Sequence, residues 1–355
     1  MDVQQHQHDA RSPFQEVAGS VTFGPSATDA GLFWAEGFHG GQMPRRAELS
    51  IALPTFAVTD TGDWSGVVDL AIAADRAGVD RVVVSDHVVF GERLEAYADP
   101  SVGGQRDGKQ PTGPDGPWLD PLVTLSYVAA LTDRVRLGTA ILLAALRRPA
   151  VLAKMAATLD VLSAGRLDIG VGVGWQREEY EAAGLSFADR GRLLDHTLEV
   201  CQELWTSPAA SYRSPELKFD RIHQAPKPRQ PGGVPIWVSG TVNRRSMDRL
   251  ARFGAGWIPW GDDAADITAA IPRMRREVAA RGRTPDDLQV MSRIPTVLDG
   301  TEVDLDATFA PTARLHALGV TDFRVTMRIP AGREHAEAFL TRAVAAFRTA
   351  VGRHD

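Results

Sequence analysis

Cysteine is all but missing: Cys201 is the only one in 355 residues. An internal disulfide framework is therefore excluded, and the usage suits a reducing compartment. No apolar run reaches the length needed to span a bilayer. Residues 1–30 lack a cationic start followed by an apolar block, so no standard secretory signal is expected and the cytoplasm is the expected location. Basic residues are not in excess either: 39 Lys and Arg stand against 45 Asp and Glu, for a net charge of −6. They are scattered along the chain, so the footprint of a nucleic-acid binder is missing and small molecules are the expected partners. The nine histidines and the single cysteine never fall at HxxxH or CxxC spacing, and no metal centre is expected. A GxSxG nucleophile elbow and a complete phosphate-binding P-loop are also absent.

The chain does contain a sustained alternation. Residues 1–47, rich in Gln, His, Gly, Ser and Asp, hold no period and read as an extension outside the core. His6 and His8 there suit an inert polar tail better than a metal site, and Met43, just before the first convincing strand, is a candidate physiological start. From residue 48 onward strand patterns alternate with helix patterns. Strands are expected near Leu49–Leu53, Arg81–Ser85, Val135–Leu143, Leu167–Val173, Pro235–Ser239, Gly256–Trp260, Leu288–Arg293 and Phe323–Met327. Helices are expected over Ser65–Ala77, Pro121–Leu131, Pro149–Leu162, Leu193–Trp205, Asn243–Phe253, Asp266–Arg281, Asp306–Leu318 and His335–Val351. Eight of each predict a closed (β/α)8 barrel, the TIM type, rather than an open sheet. Polar residues interrupt the seventh and eighth strands. Two connections exceed what a compact barrel needs, Val88–Trp118 and Ser207–Gly233, both rich in proline. The first leaves the carboxyl end of strand two, where barrel active sites form, and is a candidate lid.

The stretch Arg148–Trp175, RPAVLAKMAATLDVLSAGRLDIGVGVGW, carries the most local information. Pro149 suits a first helical position. Leu152, Met155, Leu159 and Leu162 recur at spacings of three and four, predicting one buried face, and Gly165 reads as a stop. The run Leu167–Val173 suits a strand covered on both sides. Gly170, Gly172 and Gly174 then strip its end of side chains, and Trp175 closes it. A flat ligand against that backbone and close helix–strand packing both account for the glycines.

Three other strand ends hold candidate chemistry. Ser85, Asp86 and His87 place a carboxylate and an imidazole at the barrel mouth. His87 suits a proton donor or acceptor, since its intrinsic pKa lies near neutrality; a histidine satisfied by backbone groups is the plainer reading. Asp86 either orients the ring, accepts a bond from a cofactor or caps a turn. In strand three, Gly138, Thr139 and Ala140 interrupt an otherwise bulky run, as at a bulge or in a plain buried strand. Ser239, Gly240 and Thr241 precede a helix whose free N–H groups suit a phosphate, with Arg244 and Arg245 adjoining; an ordinary cap is equally compatible.

Together VVVSDHVV (Val82–Val89), PWLDPL (Pro117–Leu122), VRLGTAILL (Val135–Leu143), ATLDVLSAGRLDIGVGVGW (Ala157–Trp175) and PIWVSG (Pro235–Gly240) closely resemble the luciferase-like monooxygenase superfamily. Within it they resemble the branch of oxidoreductases that use the deazaflavin coenzyme F420. The likeness covers about Leu49–Arg353. It implies a TIM-type barrel with a flat ring at the carboxyl ends of the strands, and His87 facing the reactive ring. It also implies a non-proline cis peptide at Ala140–Ile141 in a bulge behind the deazaflavin. Gly172, Val173, Gly174 and Trp175 would line the ring region, and Ser239, Gly240 and Thr241 the phosphate region, with Asp86 a further cofactor contact. Sugar-phosphate dehydrogenases of this branch carry a catalytic glutamate where this chain has Trp175, and many relatives carry aspartate at the position of Ala255. The expected activity is hydride transfer between F420 and a small organic substrate. An FMN-dependent monooxygenase and a non-catalytic flavin-binding protein are the alternatives, and a homodimer is compatible with the resemblance.

Overall fold

The computed structural model describes residues 45–354. Almost all of the extension expected over residues 1–47, with His6, His8 and Met43, lies outside the described residues. Eight parallel strands close into a ring in the order β1, β12, β9, β8, β7, β4, β3, β2. They are β1 (Glu48–Ala52), β2 (Arg81–Val84), β3 (Arg136–Leu142), β4 (Leu167–Val171), β7 (Ile236–Gly240), β8 (Gly254–Pro259), β9 (Gln289–Ile294) and β12 (Asp322–Val325). Each expected strand is present, and the TIM-type barrel follows. Outside the ring lie an antiparallel hairpin, β5 (Ala210–Arg213) with β6 (Lys218–Ile222), and a small two-stranded turn, β10 (Leu298–Asp299) with β11 (Glu302–Val303). The hairpin occupies the proline-rich connection Ser207–Gly233, which the sequence marks only as a long loop.

The helices of the outer layer are α1 (Ser65–Ala77), α2 (Pro121–Ala129), α3 (Pro149–Leu162), α4 (Arg177–Ala182), α5 (Arg190–Thr206), α6 (Arg244–Phe253), α7 (Asp262–Ala265), α8 (Ile267–Ala279), α9 (Leu305–Phe309), α10 (Thr312–Ala317) and α11 (Arg333–Ala350). The helix expected over Asp306–Leu318 is broken at Pro311, which cannot donate an interior helix bond. The expected buried face of α3 is corrected. Leu152 and Leu159 are buried, but their companions are Ala153, Ala156, Ala157 and Asp160, while Met155 and Leu162 are 39% and 73% exposed. Alanines let the helix axis approach the strands closely, and the bulky residues turn outward.

Alternation along the strands sorts the core into two parts. Outward residues such as Leu49, Val82, Leu137, Ile169, Val238, Trp257, Val290 and Phe323 meet the helices in one continuous apolar cluster. The ring interior is different. At its lower end Arg81 reaches Glu48 (2.8 Å), Asp168 (3.2 Å) and Asp322 (3.4 Å), and Arg324 pairs with Asp322 at 3.2 Å. Arg136 closes this buried network on Asp168 at 2.7 Å. Burial of so many charges is tolerated because each is matched. Above it Trp237, Ile258 and Met291, with Ile141 packed on them, form an apolar plug directly beneath the mouth.

Candidate active site

Four adjacent strands, β2, β3, β4 and β7, bring the predicted residues to one arc of the mouth. The Ala140–Ile141 peptide is cis, as the resemblance implies, and the β3–β4 register shifts between Thr139 and Leu142. This bulge explains the glycines of the neighbouring strand. A Cβ on Gly170 would lie 2.2 Å from the Thr139 carbonyl oxygen, one on Gly172 2.8 Å from Ile141 Cδ1, and one on Gly174 2.7 Å from Leu143 Cδ2. Gly174 also has φ of +69°, a left-handed conformation that favours glycine. All three glycines thus permit close packing of β4 and its exit onto the bulge. The surface left over is flat: Ala140, Ile141, Val173 and Gly174 are half-buried beside the buried Gly172.

His87 edges this surface. Its ring lies 4.7 Å from Trp118 and 6.0 Å from Trp175, both edge-on, and 4.4 Å from Phe90. Trp118 in turn stacks on Phe56 at 4.2 Å. The side chain is 11% exposed, and its Nδ1 lies 3.3 Å from Oε1 of Glu179, a residue of α4 with no exposed side-chain surface. The Val88 N–H donates to the same Oε1 at 2.8 Å. His87 is therefore fixed by side chains from three segments rather than satisfied by backbone groups.

Asp86 is placed differently from the expectation. It is buried, and Oδ2 accepts from Arg147 Nη1 at 2.6 Å and from the Leu143 N–H at 2.8 Å, while Oδ1 accepts from Arg147 Nη2 at 3.1 Å. Arg147 is further held by Asp120 at 2.9 Å. Its carboxylate is committed to clamping the exit of β3 onto that of β2, so it supports the arc from behind rather than facing a ligand.

Ser239, Gly240 and Thr241 are half-buried at the end of β7. The following helix α6 is capped by Asn243, whose side chain accepts from the Ser246 N–H at 3.0 Å. The Val242 N–H donates to Asp263 at 2.6 Å, and Asp263 pairs with Arg273. The Val242 and Ser246 donors are thus occupied by protein groups, whereas the Arg244 and Arg245 N–H groups meet no protein acceptor among the described residues. Arg177 and Arg190 both lie over the Phe187 ring, at 4.9 and 4.0 Å. Burial first, and then the repulsion of Arg245 and Arg177, pushes the Arg190 guanidinium below its ordinary pKa. That convergence of like charge marks the rim beside β4 and α6.

The candidate lid spans the mouth. In a ring of eight, β8 stands four strands from β2 in either direction, yet the segment leaving β2 is pinned there: Trp260, one residue past β8, donates from Nε1 to the Gly104 carbonyl at 3.1 Å. Within it Tyr97 meets Trp175 at 5.4 Å and Trp260 at 6.4 Å. Gly103 lies so close to Gly174 that a Cβ would sit 3.0 Å from the Gly174 oxygen. The return leg pairs with the chain after β1 through Phe56 and Trp118. Sequence reasoning did not find Phe56, Phe90, Tyr97, Trp118, Glu179 or Trp260, which converge from five separate segments. It also missed Arg293, which alternation along β9 turns inward above Met291. Arg293 is exposed in the mouth, and its guanidinium has no hydrogen-bonding or ion-pairing partner among the described residues.

A family model described as luciferase-like monooxygenase matches residues 47–354. An uncharacterised protein of Mycobacterium tuberculosis is 31% identical over 277 residues, which cover 76% of this chain and 87% of that protein. An F420-dependent glucose-6-phosphate dehydrogenase of Kineococcus radiotolerans is 31% identical over 228 residues, covering 61% of this chain and 59% of the dehydrogenase. Among solved structures, an F420-dependent secondary alcohol dehydrogenase in complex with an F420–acetone adduct aligns with a TM-score of 0.65 at 17% identity. The alignment covers 85% of this chain and 99% of that one, a likeness of fold. A matched span running from the first barrel strand to the end of the last helix shows that the chain belongs to the luciferase-like monooxygenase family.

Proposed function

We propose that the protein transfers a hydride between F420 and a small alcohol or carbonyl compound, with the flat ring on the ends of β3, β4 and β7. The observation that carries this reading is the position of His87, a boxed imidazole at the edge of a flat, largely side-chain-free floor, under a segment that spans the mouth. The floor fits a planar heteroaromatic group: Ile141 and Val173 offer apolar contact, Gly174 leaves backbone at the surface, Gly172 lets Ile141 lie close over β4, and the Trp237–Ile258–Met291 plug blocks deeper entry. Ser239, Gly240 and Thr241 adjoin it, and Arg245, Arg177 and Arg190 would hold an anionic tail at the rim. When bound, the deazaflavin supplies a two-electron hydride acceptor or donor at carbon.

The chain's own residues do the remainder. Trp118, Trp175 and the Tyr97 segment exclude water and confine the substrate. His87 takes the hydroxyl proton when an alcohol is oxidised and returns it when a carbonyl is reduced. Trp175 puts an indole where sugar-phosphate dehydrogenases carry their glutamate, which directs the reading toward a different substrate. A second copy of the chain would cover the apolar stripe of α2 and α3, where Val123, Tyr127, Val151 and Leu162 are 66%, 61%, 56% and 73% exposed. Anaerobic assay of the F420-loaded protein against a panel of small alcohols tests the activity. Turnover should fall about 10²–10⁴-fold in His87→Ala with F420 affinity nearly unchanged. Equal turnover of the variant would remove His87 from the reaction, and oxygen consumption with FMN alone would favour the monooxygenase.

A further inference from the structure

The mouth holds a buried carboxylate that the reading above does not use. Glu179 lies in α4, just past the glycine-rich exit of β4, and its side chain has no exposed surface. Its neighbour Glu178 turns outward onto Arg93 at 2.6 Å. Glu179 has no such arginine among the described residues. Among the described residues its ion-pairing partner is His87, with Nδ1 3.3 Å from Oε1. The Val88 N–H on that same Oε1 fixes the carboxylate against the segment that carries the imidazole. Oε2 and His87 Nδ1 are both buried without an aligned hydrogen bond, although the two groups stand within reach of one another. A carboxylate removed from water is strongly disfavoured unless a donor meets it, and here the imidazole N–H can do so.

We infer that Glu179 is the positioning residue of His87, keeping its proton on Nδ1 so that Nε2, at the far side of the ring, presents a lone pair to the mouth. This rests on the acid–base reading of His87. In alcohol oxidation a bound deazaflavin would supply the acceptor for the hydride and its two electrons leaving the substrate carbon, and the hydroxyl O–H would break. Its proton bonds to Nε2, and carbon and oxygen become a carbonyl. Glu179 stays ionised throughout and stabilises the imidazolium. In reduction the same proton returns from Nε2 to the carbonyl oxygen. A purely structural Glu179, tethering Val88 alone, would leave the tautomer of His87 indifferent to it.

The test uses the full chain labelled with 15N-histidine, without cofactor, and long-range 1H–15N spectra that report which ring nitrogen carries the proton. His87→Asn identifies the signal by its loss. The wild type should show Nδ1 protonated, and Glu179→Gln should move the proton toward Nε2. With F420 and the substrate found by the alcohol panel, Glu179→Gln should lower kcat by about 10²–10⁴-fold, KM should change little, and Glu179→Asp should recover part of the loss. A wild-type spectrum with the proton on Nε2 overturns the inference, whether or not any variant folds. So does a tautomer that ignores Glu179→Gln. A tautomer that moves while kcat stays constant upholds the pairing but overturns the proton-transfer role of His87, which separates the two readings.

Discussion

Gly172→Ala adds one methyl group at the point where β4 leaves the barrel against the β3 bulge. The new Cβ would stand 2.8 Å from Ile141 Cδ1 and 3.0 Å from its Cγ1. Carbon atoms rest about 3.5–4.0 Å apart, so Ile141 must retreat by roughly 0.7 Å or more. Below it lie Trp237, Ile258 and Met291, already packed, so the side chain yields toward the mouth. Overpacking of this kind costs about 1–3 kcal/mol. If the strain is relieved by filling the floor, the cost appears as affinity, a loss of about 5- to 150-fold in F420 binding, while the melting temperature changes little. Removing the obstructing side chain, as Gly172→Ala with Ile141→Ala, should bind more tightly than Gly172→Ala alone. Gly170→Ala is the contrasting case: its Cβ meets the Thr139 carbonyl at 2.2 Å, main chain that cannot swing aside. There the penalty should fall on stability. Fluorescence titration and thermal melts read the two quantities separately. Wild-type affinity in Gly172→Ala, or a wild-type melt in Gly170→Ala, would refute the packing account of the floor.

Three further outcomes follow from named contacts. Asp86→Asn leaves Arg147 with only Asp120 as an acidic partner and should cost about 3 kcal/mol in urea unfolding; an unchanged midpoint would contradict the clamp. Trp260→Phe removes the hydrogen bond to Gly104 that pins the mouth-spanning segment. At about 1 kcal/mol, that loss should speed proteolysis within residues 92–117 about fivefold, and equal rates would show the anchor to be idle. Burial pushes the Cys201 thiol up to about 12, so iodoacetamide at pH 8 should spare the folded chain and label it in urea. The thiol is neutral when folded but ionises near its ordinary value of about 8.5 when unfolded. Its contribution to stability is therefore intact below that pH and is lost as the pH climbs toward 12, a decline that Cys201→Ala should lessen.

The barrel was legible because its outward strand faces must be apolar, and period-2 runs framed by proline-started helices reveal them. The same rule explains the apparent flaws in the last two strands. Arg293, Asp322 and Arg324 interrupt their patterns because those positions face the ring interior, where the buried ion network and the mouth need charge. The arc of His87, Ile141, Gly172 and Ser239 could be found from strand ends. Most of the box around His87 could not, since Phe90, Trp118 and Glu179 reach it from loops and a short helix whose approach no local period encodes. Asp86 misled for a related reason: adjacency to His87 in sequence puts them on opposite faces of the chain, one toward Arg147 and the other toward the mouth. Met155 and Leu162 have helical spacing, but Ala153, Ala156 and Ala157 win the inner face because small residues allow closer approach.

The claim on which the rest depends is that the ends of β3, β4 and β7 hold a planar redox ring. Titration of the purified full chain with F420 under anaerobic conditions, followed by the coenzyme's fluorescence, tests it most directly. The account predicts saturable binding at one site per chain, weakened in Gly172→Ala and retained in His87→Ala. Failure of both F420 and FMN to bind, or binding indifferent to Gly172→Ala, would contradict it.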